Sequence, residues 1–132
     1  MRYLLDTNIV SDITRHPHGH VIKRIAQIGE QNICTSIVVA MELCFGVAKK
    51  GSAKLAGQVD SLLEKIDILP LSPPADQHYA TLRAQLEKSG TPIGANDMLI
   101  AAHALALGCV LVTDNKREFT RIKSLKVENW LR

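Results

Sequence analysis

Four acidic side chains, Asp6, Glu42, Asp97 and Asp114, stand where a carboxylate can do chemistry. Asp6 ends the short run Arg2–Leu5, Asp114 follows the continuous apolar run Cys109–Val112, and Asp97 opens an apolar stretch. Each of these three also sits where an aspartate can cap a helix, since free backbone N–H groups and the helix dipole both favour it there. Glu42 has no such explanation, because its neighbours from Ile37 to Val47 are almost all apolar. A charge in that setting must be paired, hold a cation or line a polar cavity. A buried ion pair is the alternative to a site. Carboxylates brought together repel unless protons or a cation compensate. With no His or Cys alongside them, an all-oxygen set selects Mg²⁺ or Mn²⁺ over zinc. Mg²⁺ keeps several waters, so only one or two acids need bind it directly while the others hold its waters. The matching reaction class is metal-assisted phosphodiester hydrolysis. Thr7, Asn8, Ser36, Thr113 and Asn115 supply neutral hydroxyls and amides beside the acids, although all five are also ordinary cap or turn residues.

The elements that must position these groups alternate along the chain. Arg2–Leu5 reads as a strand and Ile9, Val10 and Ile13 recur at helical spacing. The His16-Pro17-His18-Gly19-His20 stretch reads as a loop, and Val21–Ile28 as an amphipathic helix stopped by Gly29. Ile33–Thr35 is a strand, and Ser36 caps a helix to Ala48 that is apolar nearly all round and therefore expected to be buried. After the turn Lys49–Ser52 come a helix over Leu55–Ile66, a strand over Asp67–Leu69 and a helix over Ala75–Lys88. A further helix runs from Asn96 or Asp97 to Leu107, then the strand Cys109–Val112, a short basic helix near Lys116–Arg121 and an edge strand Leu125–Val127. Strands separated by helices predict an α/β fold, a central, mostly parallel, twisted sheet of four to five strands with helices on both faces. At 132 residues the chain, 1–132, reads as one domain. Sites in such sheets lie beyond the carboxyl ends of the strands, where the strand order switches.

Four stretches carry a resemblance: Tyr3–Asn8, Ser36–Val47, Pro92–Ala104 and Leu111–Phe119, each with its acid. In order and spacing the chain resembles the PIN-domain nucleases, in particular the VapC-type toxins of type II toxin–antitoxin pairs. The resemblance implies a PIN-like domain and an endoribonuclease dependent on Mg²⁺ or Mn²⁺ that inhibits translation and is itself inhibited by a VapB-type antitoxin. It implies that Asp6 and Asp97 ligate the metal, that Glu42 completes the site and polarises the attacking water, and that Asp114 is the fourth acid, with Glu42 and Asp114 acting through water. The segments Pro92–Asp97 and Thr113–Phe119 look most like the enteric subgroup that cuts initiator tRNA in its anticodon loop, while related toxins cut other tRNAs or ribosomal RNA. A homodimer, a higher toxin–antitoxin complex and contact with operator DNA only through the antitoxin are further implications. The apolar helices Val21–Ile28 and Leu55–Ile66 are the expected sites of dimerisation and of a groove for the antitoxin segment.

Composition narrows the classes. Hydrophobic residues make up 46% and charged residues 22%, which argues against disorder. Lys and Arg number 16 against 13 Asp and Glu, and setting the four acids aside leaves 9 against 16, so the remaining surface is basic. Lys116, Arg117, Arg121, Lys123 and Lys126, with Lys49, Lys50 and Lys54, are either phosphate contacts that position RNA or plain solvated charge. Aromatics at 4% leave little stacking surface, which favours recognition of RNA shape. Cys34, Cys44 and Cys109 read as small core residues in a reducing compartment, and the early Asp6 and lack of a long apolar span predict a cytoplasmic protein without a membrane partner. Two rival classes remain. A receiver-like phosphoacceptor domain does not account for Glu42 in mid-helix, and a non-catalytic nucleic-acid-binding module does not account for all four acids.

Overall fold

The computed structural model describes residues 1–131. Its elements are β1 (Tyr3–Leu5), α1 (Thr7–Arg15), α2 (His20–Ile28), a 3-10 turn (Glu30–Asn32), β2 (Ile33–Ser36), α3 (Ile37–Lys50) and α4 (Ala53–Lys65). There follow β3 (Asp67–Leu69), α5 (Ala75–Lys88), α6 (Ala95–Leu107), β4 (Val110–Val112), α7 (Lys116–Phe119) and β5 (Val127–Glu128). All strand pairs are parallel and the order is β3-β2-β1-β4-β5. Leaving β1, the chain winds outward through β2 and β3, then crosses back to the other side of β1 for β4. The switch point therefore lies between β1 and β4, where Leu5 is level with Val112.

Alternate residues of a strand point to opposite faces, so full burial of consecutive residues means that both faces are covered. Leu4 and Leu5 in β1, Cys34 and Thr35 in β2 and Leu111 and Val112 in β4 all have 0% exposure. The Thr35 hydroxyl, in this apolar layer, donates to the Leu5 carbonyl at 2.7 Å. Below the edge, Phe119, Ile122 and Leu125 complete the core beside β4 and β5.

The α/β class, the parallel sheet and the order of elements agree with the sequence reading. The edge strand is shorter and later than expected, Val127–Glu128, because pairing with β4 starts at Leu111 opposite Val127. The basic helix stops at Phe119, two residues early, and α3 runs on to Lys50, where Gly51 takes the left-handed conformation at φ 65 and ends it. The expectation that α3 is buried all round is wrong. Val38, Val39 and Leu43 face the core, but Ile37, Met41 and Phe45 are 37%, 57% and 67% exposed, and Cys44, expected in the core, is exposed as well. Apolar side chains one helical turn apart form an uncovered stripe there. Apolar composition reports that a face avoids water, and a face can do that against its own chain or against another molecule.

Phe119 is the largest fully buried side chain and anchors α7. Phe119→Ala is expected to cost about 3–5 kcal/mol in denaturant unfolding. A loss under 1 kcal/mol would mean that α7 is not held by this contact.

Candidate active site

Asp6 follows β1 directly and takes extended backbone as the cap of α1. Its backbone N–H donates to the Val112 carbonyl at 3.0 Å, which pins the start of α1 to the switch point. Its carboxylate accepts from the Ile9 N–H at 3.4 Å and from the Thr113 hydroxyl at 2.5 Å. Thr113, wholly buried, also accepts at Oγ1 from the Asn115 N–H at 3.0 Å, so one hydroxyl couples Asp6 to the loop after β4. That loop carries Asp114, exposed, whose Oδ1 accepts from Asn8 Nδ2 at 3.1 Å.

Burial pushes the Asp6 carboxyl up to about 6; the Thr113 and Ile9 bonds oppose this, while the charges of Asp114 and Asp97 add to it. Asp97, in the first turn of α6, is also pushed up to about 6, first by burial and then by Glu118 and Glu42. Thus Asp6, Asp97, Asp114, Glu42 and Glu118 act on one another in a chain of like charges. Among the described residues none of the five has a Lys or Arg ion-pair partner, which removes the buried-pair explanation for Glu42. Glu42 Oε1 is buried with no hydrogen-bond partner, as is the Thr7 hydroxyl at the start of α1.

Glu118 was not legible as a site residue. It follows Lys116-Arg117 in a short run that reads as a basic surface helix. In the fold it turns inward, its Oε2 accepting from Asn115 Nδ2 at 2.7 Å while it raises Asp97. Its spacing from Asp114, four residues on, was the available signal. Buried His103 is a second such residue. His103 on α6 approaches the Ser36 hydroxyl at 2.7 Å, and Ser36 caps α3 by accepting from the Val38 N–H at 3.1 Å. Burial holds the imidazole below its ordinary pKa, and in either neutral tautomer Nδ1 shares a hydrogen bond with the Ser36 hydroxyl. Helices carrying Asp97 and Glu42 are thereby tied to each other.

The remaining expected residues divide. Lys116 and Arg117 are exposed on α7, and Lys49, Lys50, Lys54, Lys123 and Lys126 are exposed elsewhere. Arg121 donates to the Pro92 carbonyl at 3.2 Å, bracing the loop that precedes Asp97. Among the described residues no three His, Cys, Asp or Glu side chains already converge on one ligand position. An all-oxygen donor set, two carboxyls held near 6 and a buried Glu42 oxygen without a partner nevertheless fit a hard divalent cation, which would relieve all three. Beside the acids lies a groove of about 310 Å³ between α1, α3 and α4, lined by Val10, Leu43, Val47, Leu55, Val59 and Leu62, with Thr7 and Glu42 among its walls. The expectation that α2 forms this groove is corrected, since Val21 is buried and Ile22, Ile25 and Ile28 pack on the core of their own domain.

An all-parallel sheet with uncompensated carboxylates gathered at its switch point defines an acidic-edge α/β domain of the kind that phosphodiester chemistry uses. The PIN domain family model matches residues 3–125. Ribonuclease VapC2 of Rickettsia felis is 39% identical, covering 98% of both chains, and the tRNA(fMet)-specific endonuclease VapC of Salmonella typhimurium is 31% identical, again covering 98% of both. Among solved structures, VapBC2 from Rickettsia felis bound to a promoter DNA fragment superposes with a TM-score of 0.91 at 35% identity, covering 98% of this chain and 99% of that one. DNA-bound VapBC from Salmonella typhimurium gives 0.89 at 32% identity, covering 98% of each. The chain belongs to the PIN-domain family, in its VapC group.

The raised Asp6 pKa has a definite linkage sign. Between the unfolded value of 3.8 and about 6 the folded state binds more protons, so stability falls as pH rises through that window. In chelator, wild type should lose about 2 kcal/mol relative to Asp6→Asn between pH 4 and 6. Added divalent cation should restore the loss above pH 6. Parallel pH–stability curves for the two proteins in chelator would show that Asp6 is not held in this state.

Proposed function

We propose that this chain is the toxin of a type II toxin–antitoxin pair, an endoribonuclease that uses Mg²⁺ or Mn²⁺ to cut tRNA and so inhibits translation. The observation that carries this reading is the buried, unpartnered Glu42 oxygen within a set of carboxylates lacking cationic partners. Asp6 and Asp97 would hold the ion, and Glu42 and Asp114 would hold waters beside it. A bound divalent ion supplies charge neutralisation at the phosphoryl oxygen and a more acidic water. Glu42 Oε1, with no competing donor, orients the attacking water and accepts its proton. Thr113 and Ile9 fix the Asp6 carboxylate, Asn8 fixes Asp114 and Asn115 fixes Glu118. Lys116 and Arg117 neutralise the RNA backbone without reading bases.

Initiator tRNA, cut in the anticodon loop, is the favoured substrate. Support comes from the Salmonella and Shigella relatives, named tRNA(fMet)-specific endonucleases, at 31% and 32% identity across 98% of this chain. A VapB-type antitoxin would lay an apolar segment into the α1–α3–α4 groove and reach Thr7 and Glu42 at the site itself. Promoter DNA then meets this chain only through the antitoxin. No helix among the described residues is long and apolar enough to cross a membrane. The exposed Ile37, Met41 and Phe45 stripe supports a homodimer through α3.

Freed of antitoxin, the protein should cleave initiator tRNA in Mg²⁺ or Mn²⁺ and stop in chelator, with RNA-end sequencing locating the cut. Asp97→Asn should lose more than the roughly 100-fold that marks the removal of an outer partner, and Glu118→Gln about 10- to 100-fold. Full cleavage by a folded Asp97→Asn protein would remove the site assignment. Phe45→Glu should shift sedimentation from dimer to monomer with unchanged circular dichroism, and a wild-type monomer would discard the α3 interface.

A further inference from the structure

A second concave surface lies between α2, α7 and the end of β5. It is a cleft of about 420 Å³ lined by His20, Lys23, Arg24, Lys116, Glu128 and Trp130, among others. Its place relative to the acids follows from register. Glu128 is level with Val112, the Thr113 N–H donates to the Glu128 carbonyl at 2.9 Å, and Lys116 lies two residues beyond Asp114. The cleft therefore opens at the same carboxyl edge as the acids, on the β5 side.

Its charges differ in kind. Arg24 is fixed, 3.6 Å from Glu128 and over the Trp130 ring at 5.8 Å. Lys23 and Lys116 are exposed and, among the described residues, make no ion pair. One carboxylate thus faces three permanent cations, so the cleft is basic beside an acidic pocket. Trp130 cannot serve as a stacking platform, being only 4% exposed with its indole N–H donating to Glu128 at 2.9 Å. With no free aromatic face in the cleft, base recognition is not what it offers; charge is.

Resting on the ribonuclease reading above, the geometry points to a phosphate-binding cleft, formed by Lys23, Arg24 and Lys116, that holds the RNA backbone on the β5 side of the scissile bond. It draws α2, whose cations no motif marks, into substrate binding. The contacts are to phosphate and sequence-independent, so they set the orientation of the strand and contribute to KM rather than to choice of base.

The test is equilibrium binding of unfractionated tRNA to the antitoxin-free chain in the uncleaving Asp97→Asn background, in Mg²⁺ buffer over a range of salt. Lys23→Gln, at an exposed helix position, and Lys116→Gln should each weaken binding by about 3- to 10-fold at ~0.15 M salt and reduce the log–log salt slope by about one contact. Lys65→Gln, exposed on α4, should change neither. Unchanged affinity and slope in Lys23→Gln, while the parent still binds tRNA with strong salt dependence, overturns the cleft and leaves the ribonuclease reading standing. Loss of affinity for an acidic antitoxin peptide with tRNA binding intact also overturns it, assigning the cleft to protein. A wild type that neither binds nor cuts tRNA in Mg²⁺ or Mn²⁺ removes the ribonuclease reading, and the cleft with it.

Discussion

Like-charge repulsion at the switch point is the constraint around which the domain is organised. Carboxylates from the end of β1, α3, α6, the β4 loop and α7 are held in a chain of like charges, and burial makes the ionised forms of Asp6 and Asp97 more costly still. The bonds that hold them come from neutral groups: the Thr113 hydroxyl, the Ile9 amide and the side-chain amides of Asn8 and Asn115. A lysine in any of those places would relieve the repulsion and occupy the very position a cation needs. Neutral donors fix geometry while leaving the charge uncompensated, the condition under which a hard ion would be held.

Much of this was legible in the chain. The alternation of strand and helix signals yields a parallel sheet, and a parallel sheet yields an edge at which Asp6 and Asp114 must meet. Glu42 announced itself by its surroundings, because an acid within an apolar helix demands a reason. Glu118 offered only its spacing, four residues after Asp114. Its neighbours Lys116 and Arg117 are charged, and whether a residue in a four-residue helix points inward depends on how Phe119 seats that helix in the core. His103 was hidden for the opposite reason. Lying in an apolar run, it reads as filler, and only the packing of α6 beside α3 brings it to Ser36. Apolarity likewise misled for α3 and α2, since a hydrophobic pattern does not say whether the face is covered by its own domain.

The groove and the acids are not independent sites. Thr7 and Glu42 belong to both, so a segment filling the apolar groove arrives at the chemistry without a separate route. An antitoxin segment laid there would inhibit by occupancy, with no conformational signal, provided that it continues past the groove. The basic cleft is bounded by α2 and α7 rather than by the groove helices, so that a polyanion and an apolar segment would approach through different walls.

Helix α3 illustrates what such economy demands. In fourteen residues it presents Val38 and Val39 to the sheet, Glu42 to the acids, Leu43 and Val47 to the groove, and Ile37, Met41 and Phe45 outward. Most helices of a small domain have a polar solvent side on which mutation is nearly free; the solvent side of this one carries the apolar stripe Ile37, Met41 and Phe45. If the proposed interfaces form on it, its tolerance to drift would be set less by the stability of the fold than by the number of surfaces reading it at once. New substrate preferences arise more readily from the loops and short helices around the edge than from the element at its centre.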